Sequence, residues 1–358
     1  MPTPSIFMDY LKVQDMREYG GLAVFPLTLV SPAFEAKELF TVIGAGELGD
    51  GIKAMETGKM NSVSIENSGD TPALALDGAI LIGGAANRML TASAVIRPGE
   101  SVVLPAVSVE ASRWECEALS GGASRITATD PAFYRSDFAP ASLRRERLEK
   151  SFPTMIKEGA SRVDQNMVWK HIEGLFERSS IKTENYDICA LYAERDILHD
   201  EYVSRIEFTE AQVGWVVFID RTWWYLDLFY NHGVFADIFP NLLKSYAMEA
   251  VLTRVVLDEE QDRRRPPELT LAQDAFAKIK LIKINPIKST GGKGEGAGFF
   301  ASVKSGGIIL SEGAALMHMA ACSRDDFVFR PPKASAKNEA VTVGEKTEAT
   351  TAGLLLKQ

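Results

Sequence analysis

Short apolar runs broken by turn residues dominate the first third of the chain. Between residue 21 and about residue 120, GLAVFPLTLV, ELFTVI, NSVSIEN, PALALDGAILI, TASAVI and SVVLPAVSV read as strands. NSGDTP at 67–72 and RPGE at 97–100 supply the turns between them. Strands spaced this densely predict a sandwich or a strongly curved antiparallel sheet. A helix fits only at 47–58. After residue 142 the period changes. In RVDQNMVWKHIEGLFER the apolar residues Val163, Met167, Val168, Ile172, Leu175 and Phe176 recur with the spacing of one helical stripe. Asp187 is placed to cap a second helix carrying Ile188, Leu191, Tyr192 and Leu198.

Strands return as VGWVVFI and TWWYLDLF, with Asp220 and Arg221 at the turn between them. A helix at 234–256 carries Val234, Phe235, Ile238, Phe239, Leu242, Leu243, Tyr246 and Ala247 on one face, and Pro240 is expected to kink or divide it. A further helix is predicted to begin at Thr270, with Thr270 and Gln273 as a capping box. LIKINPI, GFFASVKS, GIIL and AALMHMAAC are extended. The predicted fold class is α+β: an antiparallel β-rich, sandwich-like N-terminal part, a helical layer and further C-terminal strands. No fixed-period repeat occurs. The expected organisation is an N-terminal segment at 1–20, a β-rich part at 21–140, a mixed helix and strand part packed on it at 141–325, and a disordered tail at 326–358 whose composition offers little to bury.

Composition narrows the function classes. Of 358 residues, 46% are hydrophobic and 24% charged, as in an ordinary globular protein. Acidic residues outnumber basic ones by 48 to 39, so the net charge of −9 disfavours a nucleic-acid partner. Cys116, Cys189 and Cys322 have no zinc spacing and read as reduced core thiols. The N-terminus lacks a basic n-region, and no apolar run approaches the roughly 20 residues that span a bilayer. These features predict a cytoplasmic protein without a membrane partner.

VIGAGELG at 42–49 matches GxGxxG through Gly44, Gly46 and Gly49. Too few residues follow it to build the helix that faces a pyrophosphate, so a loop with a short helix is expected there and no cofactor is implied. GGKGEG at 291–296 lacks the GK[ST] ending of a phosphate loop and reads as a strand connection. LALDGAILIGGAANRML at 74–90 is denser in polar signals: Asp77-Gly78 marks one turn, Gly83-Gly84 a second, and Asn87-Arg88 follows. The next strand pair ends in VSVEASRWE, adding Glu110, Arg113 and Trp114. A guanidinium among apolar strands needs a partner, so Arg88 and Arg113 are expected to meet Asp77, Glu110 or a ligand anion. A buried ion-pair network fixing strand register is the equally weighted alternative. His171, His199, His232 and His318 show no metal spacing and no metal is expected. His171 reads as a satisfied core or rim residue, and His318 alone is carried as a candidate acid or base. No set of Ser, His and Asp is visible in local signals.

Through LALDGAILIGG, ANR, VEASRW, QVGWVVFIDRTWWYLDLF and LLKSYAMEA the chain resembles the ARG and rhodanese-phosphatase-superfamily-associated protein domain, a bacterial and archaeal family, over about residues 21–323. Asp77, Gly78, Gly83, Gly84, Asn87, Arg88, Glu110, Arg113 and Trp114 match its strongest stretch, and His318 its closing segment. Ala79, Ala85 and Ala86 stand where the family pattern is polar. The resemblance implies association with nucleotide or ADP-ribose metabolism and carries no reaction.

Two functions from different classes follow. The first is a binding or accessory protein in which Asp77, Gly78, Gly83, Gly84, Asn87, Arg88 and Arg113 hold an anionic small molecule or a protein partner. The second is a hydrolase of a phosphorylated or ADP-ribosyl substrate, with Asp77 or Glu110 as base, Arg88 as anion clamp and His318 as acid. An oligomeric scaffold without a ligand is the third reading.

Overall fold

The structure is a computed structural model that describes residues 5–31, 38–110, 132–183, 185–194, 196–220, 222–256, 267–287, 295–302, 305–312 and 315–324. Arg113, Trp114, Cys116, the turn residue Arg221, most of the glycine-rich 291–296 segment and the expected tail at 326–358 lie outside these residues, as does the His199 side chain.

After a short helix α1 (Ser5–Met8), the strands β1 (Leu11–Val13), β2 (Arg17–Tyr19) and β3 (Leu22–Leu29) open the chain. The β-rich part contains β4 (Thr41–Ile43), β5 (Ile52–Glu56), β6 (Ser62–Asn67), β7 (Ala73–Ala75), β8 (Ala79–Gly83), β9 (Arg88–Leu90), β10 (Ala94–Ile96), β11 (Ser101–Ser108) and β12 (Ala132–Phe138). Six of these close into a barrel in the order β11-β6-β5-β12-β8-β9, because β9 returns to pair with β11. The α+β class and the antiparallel β-rich part are observed, with a closed barrel in place of a sandwich. β10, β7 and β4 form a small separate sheet. Strand β6 shows why this region was readable: its side chains alternate between buried and half-buried, the signature of a sheet with one covered face.

Helices α2 (Ala141–Glu158), α3 (Gln165–Ser179), α4 (Ile188–Ala193) and α5 (Asp196–Arg205) follow. The α3 stripe buries Val168, Ile172, Leu175 and Phe176, and Asp164 caps its start by accepting from the Asn166 N–H at 3.0 Å. Asp187 caps α4 as its position predicts, accepting from the Cys189 N–H at 3.0 Å, but that helix ends at Ala193 and Leu198 falls in α5. Strands β13 (Gln212–Ile219) and β14 (Thr222–Phe229) are followed by α6 (His232–Val256), α7 (Leu269–Lys280), β15 (Asn285–Ile287), β16 (Glu295–Ala301), β17 (Ser305–Glu312) and β18 (Ala315–Ser323).

Nine strands form the large sheet in the order β1-β3-β13-β14-β18-β17-β16-β15, with β2 also on β3. Leu22–Leu29 therefore belongs with the C-terminal strands and not with the barrel. Both faces of the central strands are covered. Ala23, Phe25, Val216, Leu226 and Met319 join a core under α7, whereas Val24, Trp215, Tyr225, Phe229 and Ala320 face α6 and the barrel. All the apolar positions named on the 234–256 helix are buried.

Three local expectations are corrected. Residues 52–56 form a strand, so no helix occupies 47–58. The Gly44 N–H instead donates to Ser136 Oγ at 2.8 Å and the Gly44 carbonyl accepts from Asn241 Nδ2 at 2.9 Å, which engages the backbone a phosphate cradle would use. Helix α6 is continuous through Pro240, so the proline does not divide it into two helices. Helix α7 starts at Leu269, with Glu268 in the capping position and its first turn closed by the Leu271 N–H on the Glu268 carbonyl at 2.9 Å, so Thr270 is already inside the helix. Among the described residues no helix is long and apolar enough to cross a membrane.

Candidate functional site

Asp77 and Gly78 form the turn between β7 and β8. Gly78 has φ +91°, and a β-carbon there would meet the Arg144 side chain, with Nε at 2.9 Å and Cγ at 3.0 Å. Both conformation and crowding require glycine. Gly83 and Gly84 also have positive φ, and the Gly83 N–H donates to Asn87 Oδ1 at 3.0 Å. Asn87 Nδ2 donates to Asp187 Oδ1 at 3.1 Å, tying the turn to the cap of α4.

Arg88 is fully buried inside the barrel. Its Nε and Nη2 donate to the two oxygens of Glu56, each at 3.2 Å, and Nη1 donates to the Met60 carbonyl at 3.0 Å. The partner expected among Asp77, Glu110 and a ligand anion is thus Glu56, a residue absent from the motif. A single carboxylate at the end of β5, across the barrel from β9, takes both guanidinium donors. Glu110 is buried, and its backbone carbonyl accepts from Ser108 Oγ at 2.9 Å. Ala79 and Ala86 are buried core positions.

Asp77 meets a different arginine. The sequence RRER at 144–147 opens α2, and the i, i+3 spacing of Arg144 and Arg147 turns both toward the core. Arg147 Nη2 donates to Asp77 Oδ2 and Nη1 to the Thr91 carbonyl at 3.4 Å. Arg144 Nη2 donates to Asp227 Oδ1 at 2.6 Å and Nη1 to the Tyr246 hydroxyl at 3.3 Å. Its guanidinium lies 4.4 Å from the Tyr225 ring centre and 4.7 Å from that of Phe138, a cation enclosed by aromatic faces. Asp227 also accepts from the Tyr246 hydroxyl and from Trp215 Nε1 at 3.4 Å.

The large sheet supplies the remaining groups. Register places His318 opposite Phe229 and Cys322 opposite Tyr225, so these side chains share the face that carries Asp227. The His318 and Phe229 rings stack at 4.8 Å. His318 Nδ1 lies 2.9 Å from Ser93 Oγ, which accepts from the Asp77 N–H at 2.9 Å. One half-buried hydroxyl therefore joins the two sequence candidates Asp77 and His318.

Burial governs the electrostatics. It pushes the Asp77 carboxyl up, against the pull of Arg147 and Arg144. It pulls His318 down to about 4, so the imidazole is neutral near pH 7. The Tyr225 phenol is pushed up by burial, and the Cys322 thiol to about 12. Asp77 Oδ1, Arg144 Nε, Arg147 Nε, the Tyr225 hydroxyl and His318 Nε2 are buried without a hydrogen-bond partner. Such atoms are uncommon in folded proteins, and here they gather around one centre. Among the described residues no group of three His, Cys, Asp or Glu is arranged to hold a metal ion.

Arg144, Arg147, Asp227 and Tyr246 were not singled out in the sequence. Two signals pointed to them: three arginines in the first turns of a core helix, and a lone acid inside the apolar strand WWYLDLF.

No curated protein and no solved structure matches the chain. The family model of the ARG and Rhodanese-Phosphatase-superfamily-associated Protein domain matches residues 10–322, which takes in the barrel, the large sheet up to Cys322, and Asp77, Arg144, Arg147, Asp227 and His318 of the polar centre. The chain therefore belongs to the ARG and Rhodanese-Phosphatase-superfamily-associated Protein domain family.

Proposed function

We propose that the protein is a binding protein for a small phosphate- or carboxylate-bearing molecule, recognised at the polar centre between the barrel, α2 and the large sheet. The observation that carries this reading is the convergence of unpartnered buried polar atoms from Asp77, Arg144, Arg147, Tyr225 and His318 on one region. Charge supports an anion. Arg144 and Arg147 are both fully buried there, beside Asp227 and Asp77, and each keeps a buried Nε without a hydrogen-bond partner. Burial disfavours the Asp77 carboxylate, against the pull of Arg147 and Arg144. Ala92 and Ser93 are only half-buried and offer the approach. In this reading Arg144 and Arg147 take the role first assigned to Arg88 and Arg113. Asp77 and Gly78 shape the site, while Gly83, Gly84, Asn87 and Arg88 hold the barrel wall behind it.

A second reading, hydrolysis of the bound molecule, draws on the 2.9 Å contact between Ser93 Oγ and His318 Nδ1. A neutral imidazole suits a base there rather than an acid.

The test is a thermal-shift series with inorganic phosphate, sugar phosphates, nucleotides and ADP-ribose. A ligand at a hundred times its Kd stabilises the native state by about 2.7 kcal/mol. The expected result is a raised midpoint with at least one anion, lost in Arg147→Met and weakened in Ser93→Ala. No shift with any of them, or an equal shift in a folded Arg147→Met variant, overturns the reading.

A further inference from the structure

A second constellation lies away from the polar centre, between α2, α3 and α6. Ser142 and Glu146 are one helical turn apart on α2 and so share a face. His171 on α3 reaches between them: its Nε2 lies 2.8 Å from Ser142 Oγ, and its Nδ1 contacts Glu146 Oε2. A hydroxyl on one ring nitrogen and a carboxylate on the other is the arrangement that activates a serine nucleophile, with the acid fixing the ring. We propose that Ser142 is the nucleophile of a serine hydrolase acting on small carboxylic esters, with His171 as its base and Glu146 as the positioning residue.

The surroundings fit that role. Ser142 lies in the first turn of α2, where backbone N–H groups have no carbonyl one turn back and can face a developing oxyanion. Pro140 precedes the helix and provides no side-chain cap. The anion seat is filled internally: Glu249 Oε1 accepts from the Ser142 N–H at 3.4 Å and also contacts Ser142 Oγ, while Arg178 Nη1 lies 3.7 Å from Glu249 Oε2. The single hydroxyl proton thus has two acceptors. Directed at Glu249 the serine is idle; rotated toward Nε2 it is activated. Side-chain exposures of 11% for His171 and 38% for Glu146 open the relay to solvent, whereas Ser142 itself is 7% exposed, which limits the acyl group to a small one. The His171 hydrogen bond holds the Glu146 carboxyl below its ordinary range and keeps it ionised to orient the ring.

In the reaction Ser142 Oγ forms a bond to the ester carbonyl carbon and its proton passes to His171 Nε2. The ester C–O bond breaks as the imidazolium returns that proton to the departing alcohol. Water, deprotonated by His171, then hydrolyses the acyl-serine and regenerates the hydroxyl.

The experiment treats the full chain with a fluorophosphonate, whose P–F bond is exchanged for a bond to serine with release of fluoride, and with p-nitrophenyl acetate. Peptide mapping of the wild-type protein should place the label on Ser142, which decides the matter even if Ser142→Ala fails to fold. His171→Gln should slow labelling and ester release by about 100-fold or more. Glu146→Gln should slow both, and Glu146→Asp should restore most of the loss, a rescue that a merely structural contact does not predict. The exposed Ser204→Ala change should alter neither. Folded wild-type protein that stays unlabelled at Ser142, or equal labelling rates in a folded His171→Gln variant, overturns the proposal.

Discussion

Replacing Arg88 by methionine should strand the Glu56 carboxylate inside the barrel, since both of its oxygens face that one guanidinium and both side chains are buried. Removing one partner of a buried pair costs about 3–5 kcal/mol, because the remaining charge loses its compensation. With an unfolding entropy of about 2 cal/mol/K per residue over roughly 300 folded residues, the expected fall in midpoint is about 5–8 °C. Glu56→Leu should cost a similar amount by stranding Arg88. The double variant removes both charges together and should recover most of the loss. The Met60 carbonyl still loses its donor from Arg88 Nη1, so a residual deficit of about 1 kcal/mol is expected. Urea unfolding of the wild type, both single variants and the double variant measures the coupling directly. If Arg88→Met costs less than about 1 kcal/mol, or if the double variant loses the sum of the single losses, the pair is not the closed architectural unit described above. Arg88 would then regain its claim as a ligand contact.

Two further outcomes follow from the polar centre. Gly78→Ala forces a β-carbon onto the Arg144 side chain at a backbone φ of +91°, so a loss of about 3 kcal/mol or more is expected in a thermal melt, and a neutral change would refute the packing described. His318 titrates near 4 in the folded protein against an ordinary 6.5. The unfolded chain therefore binds this proton first, and the His318 contribution is full above pH 6.5 and lost as pH falls toward 4. Asp77, with its carboxyl pushed up, acts in the opposite sense. The difference between wild type and His318→Gln isolates the histidine, and it should narrow across that window by on the order of 3 kcal/mol in pH-dependent urea unfolding; a constant difference would contradict the burial of a neutral ring.

Segments whose pattern is local were legible in the sequence. The strands of the β-rich part, the α3 stripe and the Asp187 cap all follow from neighbours within a few residues. Barrel closure did not, because nothing in β9 or β11 alone states that they pair. The candidate site divides in the same way. Asp77, Gly78 and His318 stood out as polar or conformational exceptions in apolar text, and they converge. Arg88 stood out equally, yet its partner is Glu56, whose place across the barrel is set by strand register rather than by sequence distance. Arg144 and Arg147 escaped notice because arginine in a helix ordinarily faces solvent, and only the tertiary positions of Asp227 and Asp77 turn them inward. The Ser142, His171 and Glu146 relay joins two helices and had no local signature at all.

The placement of Leu22–Leu29 has a consequence for biosynthesis. This fully buried strand leaves the ribosome well before its inner neighbour Gln212–Ile219, which follows roughly 180 residues later. At about 5–20 residues per second the nascent strand waits on the order of 10–40 s without that partner, long enough for a chaperone to be needed and for premature association between neighbouring nascent chains to compete with completion of the sheet.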